Sequence, residues 1–137
     1  MKRKLLITLF CITAISFASA QSNNADFQSD PKLVMEEVFR AAKTGDYSNL
    51  HLLCPPDGSN DGDTRQYICE VVSGSDELKK EFTSYFKVGH VSGEVTYNPA
   101  GDRAEVPFWF NHPSGESRSN ETMNMLKIDD KWYLHSF

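Results

Sequence analysis

The longest apolar run in this chain, residues 5–17, is too short to span a bilayer as a permanent helix. Its flanks explain it. Met1-Lys-Arg-Lys4 is a basic leader and Ala18-Ser19-Ala20 is a small-x-small cleavage site, the layout of a secretory signal of bacterial type. The mature chain is therefore expected to begin at Gln21 and to be exported, to the periplasm or the medium. Cys11 lies within the run, but Phe10 precedes it where a lipobox wants a small residue; membrane attachment follows only if Cys11 is lipidated. Positive charge is scarce as well. The formal charge is −5, and loss of Lys2, Arg3 and Lys4 with the signal makes it −8. With no basic stripe, nucleic acid and anionic lipid are excluded as partners on electrostatic grounds. Metal and nucleotide motifs are also missing. The four His and two mature Cys do not cluster, no phosphate loop occurs, and Ser114 and Ser117 have no neighbouring His–Asp pair. No cofactor is expected, and the chain contains no internal repeat or low-complexity tract.

Cysteine is nearly absent, and the few present are informative. Removing Cys11 leaves Cys54 and Cys69, an even pair in an oxidising compartment, so a disulfide is expected. Closing a loop of that size contributes about 3 kcal/mol on the chain-entropy account. Between the two cysteines lies an acidic, glycine-rich loop, residues 57–63. Asp57, Ser59 and Asp61 followed by Gly62 look like the start of a calcium loop. Position twelve is Ile68 where a bidentate Glu is required, and Pro55-Pro56 replaces the entering helix. The loop is read as an ordinary turn region, with no metal site.

Residues 21–29 are polar and read as a flexible leader; residues 30–137 form one domain. Asp30-Pro31 is a helix start, and the helix runs to about Lys43 with Leu33, Val34, Val38, Ala41 and Ala42 as its apolar stripe. Gly45 suits a left-handed cap. A short helix follows Asp46, Thr64 caps another turn or two, and Ser75-Asp76 starts a helix whose Leu78, Phe82, Tyr85 and Phe86 share one face. Then the period changes to two. Val91, Gly93, Val95 and Tyr97 alternate, as do Ala104, Val106, Phe108 and Phe110. Pro107 lacks an amide proton and belongs at an edge or a bulge. Residues 121–128, a tight Asp129-Asp130-Lys131 turn and residues 132–137 make a closing hairpin. The fold class is α+β: a cone-shaped, curved antiparallel sheet of about four strands covered by N-terminal helices.

The Thr44-Gly45-Asp46-Tyr47 junction, the Asp102-Arg-Ala-Glu-Val106 strand opening and the Asp130-Lys-Trp132 turn, in this order, resemble the nuclear-transport-factor-2-like superfamily. The nearest group within it is a set of small exported bacterial domains, some labelled lumazine-binding-like. The resemblance implies a sheet wrapped into a cone with a long helix across its mouth, able to hold a small ligand. It transfers no catalytic residue, because no local motif marks one.

The residues placed to line such a pocket are Tyr47, Tyr85 and His112, with Thr122 and Asn124 if Leu126 packs inward. The opposite face would then carry Trp109, Met123, Met125 and Tyr133, an apolar patch suited to a homodimer or a partner. A one-residue slip would exchange the two faces. The function expected is an exported, non-enzymatic domain that binds a small molecule or a partner protein in or beside its cone. Two alternatives stand beside it: a cofactor-free enzyme of the isomerase or dehydratase kind, and an interaction module that dimerises through the outer sheet face.

Overall fold

The computed structural model describes residues 26–112, 114 and 119–137. The expected signal, Cys11 and residues 21–25 of the expected leader lie outside the described residues. Helix α1 spans Pro31–Thr44. Asp30 accepts a hydrogen bond from the Lys32 amide at its start, and Gly45 at φ 72° ends it, both as the caps predict. Its buried stripe is Val34, Met35, Val38, Phe39, Ala41 and Ala42; Leu33, expected inside, is 40% exposed. The stripe is rotated toward Met35 and Phe39 because those two longer side chains reach the sheet. At the helix end the buried Glu37 carboxylate takes both forks of the Arg40 guanidinium, at 2.6 and 2.8 Å, and the Asn49 amide at 3.0 Å. This pairing is what lets a carboxylate sit inside.

The leader is docked from Asp26 onward, which corrects the expectation that it is free up to Ser29. Phe27–Ser29 forms a 3₁₀ turn. The buried Gln28 amide donates to the Leu52 carbonyl at 2.9 Å and the Trp132 carbonyl at 3.3 Å. After a 3₁₀ turn at Leu50–Leu53 comes α2 at Gly62–Thr64, which runs into a π-helical turn, Arg65–Cys69. Asp61, rather than Thr64, caps it; Thr64 is fully buried instead. The Cys54–Cys69 disulfide is present, with Cα atoms 6.1 Å apart, and ties the π turn to the preceding segment. Helix α3, Asp76–Phe86, is capped by the Ser75 hydroxyl and buries Phe82 and Phe86.

The sheet is antiparallel, curved and unclosed, with strands β1 (His90–Val91), β2 (Thr96–Tyr97), β3 (Arg103–Phe110), β4 (Ser119–Ile128) and β5 (Lys131–Ser136). β1 and β2 both pair with β3, so the single first strand expected from 91–97 is split. Pro107 explains the split. The Ser92 amide donates to the Pro107 carbonyl at 2.9 Å, so Pro107 turns its N and O toward that side. The bond its own amide would make is missing there, and the chain bulges away from it.

The inner face of β3 is the one its alternation predicts: Ala104, Val106, Phe108 and Phe110 are all buried. Strand β4 falls in the opposite phase from the one expected. Val106 faces Met123 and Ala104 faces Met125 across the ladder, and both methionines are buried, at 0 and 1% exposure. Cross-strand partners share a face, so Thr122 and Asn124 lie outside and exposed. Leu126 is only half-buried on that outer face, opposite Arg103 and Tyr133. The hairpin to β5 closes through Asp129 and Asp130, both in the left-handed region at φ 49° and 62°, a two-residue primed turn.

Candidate functional site: an aromatic cleft at the end of the sheet

The concave side of the sheet is largely filled. Phe39, Phe82, Phe86, Phe108 and Phe110 interlock at centroid distances of 5.2–6.4 Å, with Met123, Met125 and Leu134 beneath them. This is packed core, and no enclosed chamber remains there among the described residues. At its end lies a cleft of about 110 Å³ lined by Asp63, Tyr67, Tyr85, Phe86, Phe110, His112 and Phe137.

Each wall has a local cause. Tyr85 projects from the apolar face of α3, one residue before Phe86. Tyr67 comes from the π turn, whose wider winding is secured by the Glu70 amide on the Arg65 carbonyl at 3.0 Å and by the Cys69 disulfide. The two tyrosine rings meet edge to face at 6.3 Å. Phe86 and Phe110 are stacked at 5.5 Å and form the floor. Phe137 stands nearly perpendicular to both, at 6.4 and 6.0 Å. His112 continues the Phe110 face beyond β3, its ring 5.8 Å from that of Phe110. Its Nδ1 is 2.8 Å from the Ser114 hydroxyl.

Partial burial raises the Tyr85 hydroxyl above its ordinary pKa; the Glu81 carboxylate and Tyr67 push it the same way. Tyr85 is therefore a neutral phenol at physiological pH. The His112 ring is engaged with Ser114, and no hydrogen bond among the described residues links His112, Tyr85, Tyr67 and Asp63 into a relay. General acid–base chemistry needs such an oriented pair. The cleft offers apolar ring surface, with a carboxylate and an imidazole at its rim.

Of the residues expected to line a pocket, Tyr85 and His112 are brought together here. Tyr47 is not. Its ring meets Phe82 edge to face at 5.7 Å and its hydroxyl lies 2.8 Å from Thr83 Oγ1, which pins the turn after α1 to α3. Thr122 and Asn124 lie on the other side of the sheet, a correction imposed by the phase of β4. Asn124 instead lines an outer groove of about 600 Å³ with Thr96, Glu105, His135 and Ser136. The row Thr96–Glu105–Asn124–Ser136 runs straight across four strands. A bulge between Asn124 and Met125 leaves His135 without a ladder partner. This groove is larger than the cleft, with polar and apolar lining in about equal measure, and Asn124 already donates to the carbonyl and hydroxyl of Ser136 at 3.3 and 3.1 Å.

The expected outer patch is dispersed. Met123 and Met125 are core, Tyr133 is buried at 8% exposure, and the half-buried Trp109 stacks on His90 at 5.6 Å. The acidic loop spends its groups locally. The Ser59 side chain and then its amide lower the Asp57 pKa by hydrogen bonding, and the Arg65 guanidinium donates to the Gly58 and Asn60 carbonyls. Sequence reasoning overlooked Phe137 and Asp63 as cleft residues. Tyr67 is among the tyrosines the sequence offers for a pocket, but nothing local sets it beside Tyr85.

No protein-family model matches the chain, and no curated protein matches it. Two solved structures are similar. One, from Campylobacter jejuni, is described as an NTF2-like transpeptidase; it is 12% identical, covers 79% of this chain and 98% of its own, and has a TM-score of 0.48. The other, from Xanthomonas campestris, is described as a calcium/calmodulin-dependent protein kinase II association domain; it is 18% identical, covers 75% of this chain and 79% of its own, and has a TM-score of 0.44. At these scores neither likeness enters the functional reading, which rests on the geometry of this chain.

Proposed function

We propose that this chain is an exported, non-enzymatic binding domain whose site is the aromatic cleft between α3, the π turn and the end of β3. The observation that carries the proposal is the contrast between a filled concave face and a hollow of about 110 Å³ at its end, walled mainly by aromatic rings. A hollow of that size is below the range that encloses a drug-sized ligand, and near the size of cavity that takes a single benzene. It suits one small organic group, presented by a free molecule or at the end of a longer one. The signal-like N-terminus supports export, and the Cys54–Cys69 bridge points the same way, because such bonds persist in oxidising compartments.

An isomerase- or dehydratase-type enzyme is less well supported, since the cleft has no hydrogen-bonded acid–base pair among the described residues. Dimerisation through the outer face loses two of its four anchors to the core. Kinship with lumazine-binding-like domains stays part of the proposal, on the sequence fragments alone.

The test is a nuclear magnetic resonance titration of the mature, oxidised domain with small neutral alcohols bearing a phenyl or a tert-butyl group. Saturable millimolar shifts are expected at Tyr67, Tyr85, Phe110, His112 and Phe137. Shifts confined to Thr96, Glu105, Asn124 and Ser136 would move the site to the outer groove, and no saturable shift at all would end the reading.

A further inference from the structure

We infer that the group this cleft selects is a compact organic cation, the head of a small quaternary or tertiary ammonium compound; the inference rests on the cleft being a binding site. The first argument is shape. The walls are perpendicular pairs: Tyr67 on Tyr85 at 68°, Phe137 on Phe110 at 87° and on Phe86 at 78°. Parallel walls would make a slot for a flat ring. Perpendicular walls make a corner that a rounded, tetrahedral head fills from several sides. At about 30 Å³ of liquid volume per water-sized group, 110 Å³ accommodates roughly three to four such groups, about the nitrogen and methyls of a trimethylammonium head.

The second argument is charge. An aromatic face is electron-rich, and a cation over it gains energy that a neutral group of equal size does not. The described lining includes the Asp63 carboxylate and no Lys or Arg. Glu81 sits close enough to act on the Tyr85 hydroxyl electrostatically. The whole chain is acidic, at −5. Rings and carboxylates therefore favour the same sign, and an anion would meet repulsion from both. A bare metal ion is not the occupant, because it needs several oxygen ligands and the cleft supplies few. A hydrated inorganic cation would leave the partly exposed rings of Tyr67, Tyr85 and Phe137 without an apolar partner.

The experiment compares choline with its neutral carbon isostere, in which a tert-butyl group replaces the trimethylammonium head. Both are titrated into the mature, oxidised domain at matched ionic strength, and resonances of Tyr67, Tyr85, Phe110 and His112 are followed. Choline is expected to bind about tenfold more tightly than the isostere, the discrimination a desolvated cation–aromatic contact supplies. Asp63→Asn, an exposed change that leaves the core intact, is expected to weaken choline about threefold and to leave the isostere unchanged. Equal affinity for the two probes overturns the cation preference and leaves the cleft standing as a binding site. If neither probe produces a saturable shift, the cation preference and the binding reading both fall.

Discussion

The two faces of the sheet differ in what their residues are free to do. On the inner face, alternate residues of β3, β4 and β5 are buried under α1 and α3, and their rings touch one another. Fully buried positions such as Phe108, Met123 and Leu134 have no capacity left for a ligand. At the end of the sheet, where α3 meets the π turn, the rings of Tyr67, Tyr85 and Phe137 stay partly open. On the outer face the same strands present Thr96, Glu105, Thr122 and Asn124 to water, in a broad groove with polar partners already at hand. The larger hollow mixes polar and apolar lining, and water serves its polar half. The smaller hollow is lined mainly by rings, and burying such surface is worth about 25 cal/mol per Å². Size alone would choose the wrong face.

The sharpest way to break this comparison is a pair of neighbouring substitutions in β4. Met123→Ala, on the inner face, should cost about 3 kcal/mol by leaving a cavity. Thr122→Ala, one residue away on the outer face, should change stability by no more than about 0.5 kcal/mol. Chemical denaturation of both variants checks the phase of β4; equal losses would reverse it. Breaking the disulfide with the double variant Cys54→Ser and Cys69→Ser should also cost about 3 kcal/mol. Because Tyr67 sits on the tethered π turn, the same variant should weaken ligand binding at the cleft and leave the outer groove's resonances in place.

Gly89→Ala probes how closely the inner layer is packed. A Cβ there would come within 2.6 Å of a Phe39 ring carbon, so a loss of about 2 kcal/mol is expected on melting. Smaller, and of opposite sign, is the closing turn. Replacing Asp129-Asp130 by Asn-Gly suits a backbone in which both φ values are positive, and should stabilise by about 1 kcal/mol. The smallest effect is alkaline. The pKa of Tyr85 is raised above 10.0 in the folded state, so its contribution is present below that pH and is lost as pH climbs through the higher folded value. Phenolate absorbance should show one fewer late-titrating tyrosine in Tyr85→Phe, and the alkaline fall in stability should be shallower.

Much of the fold was legible in local chemistry, and the site only partly so. The caps at Asp30, Gly45 and Ser75 and the inner face of β3 are read from adjacent residues, and all four stand. The cysteine pair was predicted from export and parity. For the cleft, the apolar face of α3 and the register of β3 named Tyr85 and His112, and folding sets both along one cleft. Tyr67 and Phe137 join them through tertiary contact between distant segments, and no local period reports that. Thr122 and Asn124 were assigned inward on the assumption that Leu126 prefers the core to two methionines. Methionine is as buriable as leucine and more adaptable in shape, so composition could not decide between the two phases.

What the amino-acid order determined by itself is whatever depends on neighbours within a few residues: where helices start and stop, which side of β3 is apolar, and that the final hairpin turns at Asp129-Asp130. The phase of β4, the split of β1 from β2 opposite Pro107, the rotation of Leu33 to the surface and the closure of the concave face were decided by tertiary structure. Each of these depends on which of two nearly equal apolar sets is covered, and the answer comes from a partner far along the chain. A period-two strand carries no mark of which face will be covered, and the ladder to β3 supplies one. The aromatic cleft belongs to the same category, because its walls come from α3, the π turn and the two ends of the sheet, and only folding brings them together.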